Sequence, residues 1–368
     1  MIKKINNLIA MPRAHWSYKR KKTRLKYLPT ALWIEPTNVC NLKCIMCPNS
    51  IIGQPNPGYM DFDLYKKIID EAKPFVSFII LCISGESLLH PKFPEMVKYA
   101  KDNKIAVYIS TNCTLLTPEI SRKLLEADLD WINFFFDGVT KEVYEKVRVN
   151  ANFEKSLENV INFLKIKKEL GAKTVADLQV MIMDDEGDKI YQENREQFMQ
   201  NFKDLPIDFI QMRRPSTWGN FLSDTDKFEA KELGKEFSPC SYLWSSMHIQ
   251  WDGHLIACTS DFFGDNKLGK FPEHNLKQLW NSDQMVAFRE SMLNNTYLSY
   301  NKNCEKCDSI WEKQILSFPA GMRGIFASTL NSIFHYNFYK PLKKIAKFVN
   351  KDFAMNVTEE DKKKVNES

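Results

Sequence analysis

Leu32-Trp33-Ile34-Glu35-Pro36-Thr37-Asn38-Val39-Cys40-Asn41-Leu42-Lys43-Cys44-Ile45-Met46-Cys47 joins a short apolar, β-rich run to three cysteines in Cys-x3-Cys-x2-Cys spacing. Three thiolates on one loop can each ligate one iron of a [4Fe–4S] cluster and leave the fourth iron open. An open iron can hold and electronically engage another molecule, whereas an electron carrier normally has all four corners closed by cysteine. A zinc site is the competing reading, but zinc prefers four ligands in paired spacing.

On either side of this loop the composition is that of an ordinary folded chain. The 368 residues are 44% hydrophobic and 26% charged, enough for one large domain and a smaller one. No apolar run reaches the roughly 18 residues of a membrane-spanning helix. The apolar stretch around Leu8 to Met11 is too brief for a signal peptide, so the expected location is cytoplasmic. Nine cysteines, most of them clustered, argue for metal rather than disulfides in a reducing compartment. Residues 1–30 carry nine Lys or Arg and no acid, so with +5 overall the remainder sums to −4.

From residue 31 to about 214, β-rich runs alternate with helix-like stretches. The runs are Leu32–Glu35, Phe78–Ile83, Ala106–Ser110, Trp131–Phe136, Val175–Met183 and Phe209–Met212. Six βα-like units in a row predict a parallel sheet with helices outside it, closed as an α/β barrel or open and doubly wound. Polar residues follow the strand ends at Ser84-Gly85-Glu86, Ser110-Thr111-Asn112 and Asp137-Gly138, the face where barrel chemistry occurs. The expected organisation is a basic arm at 1–30, the α/β unit at 31–215, and a linker. A cysteine-bearing unit follows at 239–310, where Trp251-Asp252-Gly253 marks a hairpin turn, then a basic segment at 311–355 and a polar tail at 356–368.

The cysteine spacing resembles the radical S-adenosylmethionine superfamily. That resemblance implies a partial (β/α)6 TIM-like barrel, with S-adenosylmethionine bound to the open iron. One electron, supplied by a donor such as flavodoxin or ferredoxin, cleaves it to a 5′-deoxyadenosyl radical that abstracts hydrogen from substrate. Cys40, Cys44 and Cys47 are then the cluster ligands and catalytic residues. Ser84-Gly85-Glu86-Ser87 resembles the family's Gly-Gly-Glu-Pro motif, so Gly85 and Glu86 are expected at the methionine moiety. Met46 takes the position that packs along adenine. Ser110-Thr111-Asn112-Cys113 resembles the Ser-Thr-Asn-Gly segment, with Cys113 in place of glycine. Asp137-Gly138 with Arg148 resembles the segment that closes on the cosubstrate, and Arg148 is the candidate for its carboxylate.

Cys240, Cys258, Cys304 and Cys307 supply four further ligands, enough to close a cluster, although a zinc knob has the same count. The set resembles SPASM and shorter twitch extensions, implying a second [4Fe–4S] cluster. With only about 30 residues before the barrel, the favoured reaction is oxidation of a sugar, aminocyclitol or lipid-linked small molecule. A peptide-modifying maturase is the alternative, and a non-catalytic iron–sulfur or zinc module is the other. Thr111, Cys113, Arg213 and Arg214 are candidate substrate contacts. No nucleic-acid partner is expected, although Trp16, Tyr18 and Tyr27 lie in the basic stretch. Lys340 to Lys351, with lysines on one side of an apolar periodicity, adds the expectation of a peripheral contact at the inner membrane face.

Overall fold

The computed structural model describes residues 2–216, 218, 236–311 and 319–334. Eight strands form one sheet: β1 (Ala31–Ile34), β2 (Phe78–Leu81), β3 (Ala106–Thr111), β4 (Trp131–Phe135), β5 (Val175–Met181), β6 (Phe209–Arg213), β7 (Ser246–Ile249) and β8 (Leu255–Ile256). Their order is β6-β5-β4-β3-β2-β1-β7-β8, and β1 to β6 are mutually parallel. Among the described residues the end strands do not pair, so the sheet is the partial barrel expected from six βα units.

Helices Phe62–Ala72, Phe93–Asp102, Pro118–Glu126, Phe153–Leu170 and Asp185–Gln200 cover the outer face. Four of these five starts are set locally: Asp61, Thr117, Asn152 and Asp184 each accept a hydrogen bond from a first-turn amide. Alternate strand residues, among them Leu32, Ile34, Ile79, Leu81, Ile132, Phe134 and Leu178, bury against these helices. The other residues line the lumen. There Phe78 stacks on Tyr108 at 5.1 Å and Trp131 on Phe209 at 5.8 Å, making an aromatic floor. Ile325 of the helix Ala320–Phe334 packs into that floor and stoppers the barrel from below.

Two findings differ from the expectation. The hairpin is not separate from the barrel: β7 lies parallel to β1, with Ala31 opposite Ser246, and β8 then pairs antiparallel. The basic stretch at the start of the chain is no free arm either. Its first part is a helix, Ile2–Lys19, and Met11, Ala14 and Tyr18 are buried along one side. Tyr18 donates to Pro239 O at 2.9 Å, and Tyr27 donates to Trp244 O at 2.8 Å. Both tyrosines are therefore spent on packing and cannot stack on RNA bases. Trp244, which accepts the bond from Tyr27, is itself fully buried. The periodic segment Lys340 to Lys351 lies outside the described residues.

Candidate functional site

The loop after β1 is built by polar residues that organise their neighbours. The Thr37 hydroxyl donates to Gly58 O at 2.6 Å, and Asn38 binds Asn56 O and Gly58 N, both at 2.8 Å. Lys43 N and Ile45 N donate to Val149 O and Val147 O at 3.0 and 3.1 Å, fixing the loop to the end of helix Lys141–Val147. Cys40, Cys44 and Cys47 face one another closely enough to feel each other's charge. Burial is the main cause that pushes all three thiols up, Cys47 to about 11. Such thiols ionise only if positive charge is brought to them, which irons do. Among the described residues no three His, Cys, Asp or Glu side chains close on a single ion. A cluster, whose corners stand apart, asks instead for thiols sharing one pocket.

Gly85 closes the pocket from β2. A Cβ there would stand 2.4 Å from Thr37 O and 2.5 Å from Val39 O, so only glycine lets this loop approach the turn into Cys40. Glu86 N then donates to Val39 O at 2.9 Å. The Glu86 carboxylate is fully buried and accepts from Thr111 Oγ1 at 2.9 Å, Asn112 N at 2.8 Å and Leu88 N at 3.2 Å. It joins the ends of β2 and β3 and has its acceptor positions largely filled by protein donors. Asn112 continues the chain of contacts, donating to Asn41 Oδ1 at 3.0 Å with Cys40 Sγ at 4.0 Å.

Arg148 is not a solvated surface residue. It is buried, paired with Asp137 at 2.5 Å, 3.8 Å from Cys44 Sγ and 5.7 Å from the Phe135 ring. Burial works against its charge, but Asp137 and Cys44 reverse that and hold the guanidinium ionised. Its cation in turn opposes the upward push on the Cys44 thiol. Arg148 is thus placed to stabilise the cysteine loop, and its expected contact with a cosubstrate carboxylate is not free of this pairing.

Other candidates fall elsewhere. Met46 is buried in one cluster with Leu42, Cys44, Val147 and Met183, against which Cys40 and Cys47 pack. Cys113 is fully buried at φ 69°, in the glycine-like conformation, and Thr111, also buried, donates to Glu86. Ser110 faces the lumen and accepts from Asn133 at 3.1 Å. Arg213 is exposed at the mouth, while Arg214 pairs with Asp185 at 2.9 Å.

Two residues near the site were missed in the sequence. Glu35 is fully buried, accepts from Ser84 Oγ at 2.5 Å and Trp251 N at 3.2 Å, and is pushed up to about 7, chiefly by burial. Cys82 senses Glu86, Glu35, Cys40 and Cys47, so it borders this pocket instead of filling an anonymous core position. A carboxylate ending an apolar strand five residues before the first cysteine was the available signal for Glu35.

The second cysteine set also converges. Cys304 senses Cys258, Cys240 and Cys307, and burial raises all four thiols, Cys240, Cys258 and Cys307 to about 12. Asp261 beside Cys258 caps Asp265 N and Asn266 N at 3.0 and 3.1 Å, rigidifying the loop after β8.

A partial parallel barrel carrying a three-thiol loop at its mouth, with a four-thiol unit joined to its first strand, is the architecture of a radical enzyme with an auxiliary cluster. Residues 34–185 match the Radical SAM superfamily, and residues 240–308 match the SPASM iron–sulfur cluster-binding domain. The chain thus carries a radical S-adenosylmethionine domain followed by a SPASM domain, and the cofactors of these domains are S-adenosylmethionine and [4Fe–4S] clusters. It is 39% identical over 108 residues to the tungsten-containing aldehyde ferredoxin oxidoreductase cofactor-modifying protein of Pyrococcus furiosus, covering 29% of this chain and 30% of that one. It is 33% identical over 134 residues to the mycofactocin maturase MftC of Mycobacterium tuberculosis, covering 36% and 34%. The aligned region thus spans about a third of the length of these curated relatives. In fold it resembles Streptococcus suis SuiB bound to precursor peptide SuiA, with TM-score 0.60, 15% identity, and coverage of 81% and 74%.

Proposed function

We propose that this chain is a peptide-modifying radical maturase in which Cys40, Cys44 and Cys47 hold the cluster that binds S-adenosylmethionine. The carrying observation is the shared burial of these three thiols beside Gly85, Glu86 and Arg148. When bound, the cluster and cosubstrate supply a carbon radical that removes hydrogen from substrate. The chain's own residues keep the loop in register: Glu86 and Asn112 tie β3 to it, and Arg148 places a cation against Cys44. Cys240, Cys258, Cys304 and Cys307 hold an auxiliary cluster that serves as electron acceptor, which makes the net reaction an oxidation. The aligned maturase at 33% identity, with the SuiB fold solved on a precursor peptide, favours a peptide over the sugar, aminocyclitol or lipid-linked substrate expected from the sequence. The reductant is a flavodoxin or ferredoxin in the cytoplasm, and exposed Arg213 at the mouth meets an acidic group of the peptide.

The test is turnover by the reduced, anaerobically reconstituted enzyme with a short precursor peptide encoded beside its gene. Peptide-stimulated 5′-deoxyadenosine formation, with hydrogen loss in the peptide's mass spectrum, supports the reading. Stimulation by sugars or aminocyclitols and none by peptide would overturn it.

A further inference from the structure

We propose that the face of the barrel opposite the cysteine loop docks on an anionic phospholipid surface through helix Ile2–Lys19 and the basic turn that follows it. The helix lies across the N-terminal ends of the strands. The Asn7 side chain bonds Ser77, just before β2, and the neighbouring helix Ala320–Phe334 bonds Thr30, just before β1, through Thr329 at 3.0 Å. Asn7, Met11, Ala14 and Tyr18, spaced four, three and four residues apart, are buried against the body.

The other side of this helix is built differently from a merely solvated face. Ile9 and Trp16 are 43% and 57% exposed, one helical face apart from the buried set, with Arg13 and Arg20 on the same side. Arg20 lies over the Trp16 ring at 4.3 Å, and Lys19, Lys21 and Lys22 are exposed beside it. The first 30 residues contain nine cations and no acid, although the rest of the chain sums to −4. A solvated helix face normally interleaves both signs. Cations around an outward tryptophan and isoleucine complement anionic headgroups over an acyl boundary, where tryptophan sits well. Nucleic acid would match the charge but has no use for Ile9. Residues 335–351, which continue the chain from exposed Phe334, carry five lysines and no acid.

The orientation has a consequence for the substrate. With this face on the membrane, the cysteine loop and the barrel mouth point away from it. Membrane docking therefore does not imply a lipid-linked substrate, and it stands or falls independently of the peptide reading.

Co-sedimentation of the full-length holoenzyme with phosphatidylcholine vesicles, with and without phosphatidylglycerol, tests the proposal. The expected result is pelleting only with the anionic vesicles, weakening as salt rises. Replacing Lys19, Arg20, Lys21 and Lys22 by Gln should lower the partition coefficient by about fivefold per cation removed. Trp16→Ala should weaken it further, while cosubstrate cleavage stays unchanged in every variant as the check on folding. Equal pelleting with neutral vesicles, or undiminished pelleting of the Gln variant, would overturn the assignment. So would tighter binding to polyuridylate than to anionic vesicles at the same salt, which would make the face a nucleic-acid surface instead.

Discussion

Glu35 carries a carboxyl group into a place where its charge is poorly solvated, and the consequence can be worked out. Burial raises its pKa to about 7, with Asp252 adding to the push and Ser84 and Trp251 N opposing it. The folded state therefore binds a proton that the unfolded chain releases at ordinary carboxylate pH. Stability attributable to this group is present below about pH 4.5 and falls as pH rises toward 7, by roughly 3 kcal/mol in total. Glu35→Gln should flatten that part of the profile, measured as urea midpoints at pH 5, 6 and 8; an unchanged slope would show that Glu35 is not protonated in the fold. At Arg148 the argument runs through its partner. Arg148→Ala leaves Asp137 buried without its cation, a change that costs about 3–5 kcal/mol in such settings. The variant should unfold at lower denaturant and retain less iron at equal protein concentration. A variant with full stability and iron would place the Asp137 charge elsewhere. Glu86→Ala strands the amides of Asn112 and Leu88, each worth about 1–3 kcal/mol when left unsatisfied. It should lower cosubstrate affinity by loosening the Cys40 loop, and isothermal titration against the wild type reads the difference.

At the scale of elements, local pattern was legible and long-range pairing was not. The six βα units follow from alternation of β-branched runs with capped helices, and each cap at Asp61, Thr117 and Asn152 is a short-range event. The spacing of Cys40, Cys44 and Cys47 likewise places three thiols on one loop whatever the rest of the chain does. Nothing local says that the hairpin after residue 245 adds to β1, because that register joins residues more than two hundred positions apart. The same distance hid the role of Glu35, whose second partner, Trp251, belongs to the hairpin turn. Burial of Thr111 and Cys113 was equally hidden, since it depends on Glu86 and on the packed helix Phe153–Leu170, where Asn159 donates to Cys113 O at 2.9 Å. The hairpin contact makes a prediction of its own. Trp251 lies over Gly58, where a Cβ would stand 2.4 Å from the indole ring. Gly58→Ala must displace the ring or the loop after the cysteines, at about 1–3 kcal/mol. Chemical denaturation should show that loss, and an unaltered midpoint would mean the tryptophan swings aside freely.

For the whole molecule the decisive quantity is how the two thiol sets divide the metal. They lie on different parts of one continuous sheet, the first at the end of β1 and the second around β7, which pairs with β1, and β8, which pairs with β7. Each set has its own mutual electrostatics: Cys47 senses Cys44 and Cys40, and Cys304 senses Cys258, Cys240 and Cys307. Loss of one set should therefore leave the other loaded. Replacing Cys40, Cys44 and Cys47 together by Ala should reduce iron from about eight to about four per chain and abolish cosubstrate cleavage. Cys304→Ala opens the second set but touches nothing at the first, so uncoupled cleavage to 5′-deoxyadenosine should persist while turnover of the proposed peptide substrate falls. Iron analysis and electron paramagnetic resonance of both variants, read beside the cleavage assay, separate the roles. If the triple variant loses all iron, the sets are assembled as one unit. If Cys304→Ala stops uncoupled cleavage as well, the second cluster feeds electrons to the first instead of receiving them from substrate, and the direction of electron flow through the hairpin must be reversed.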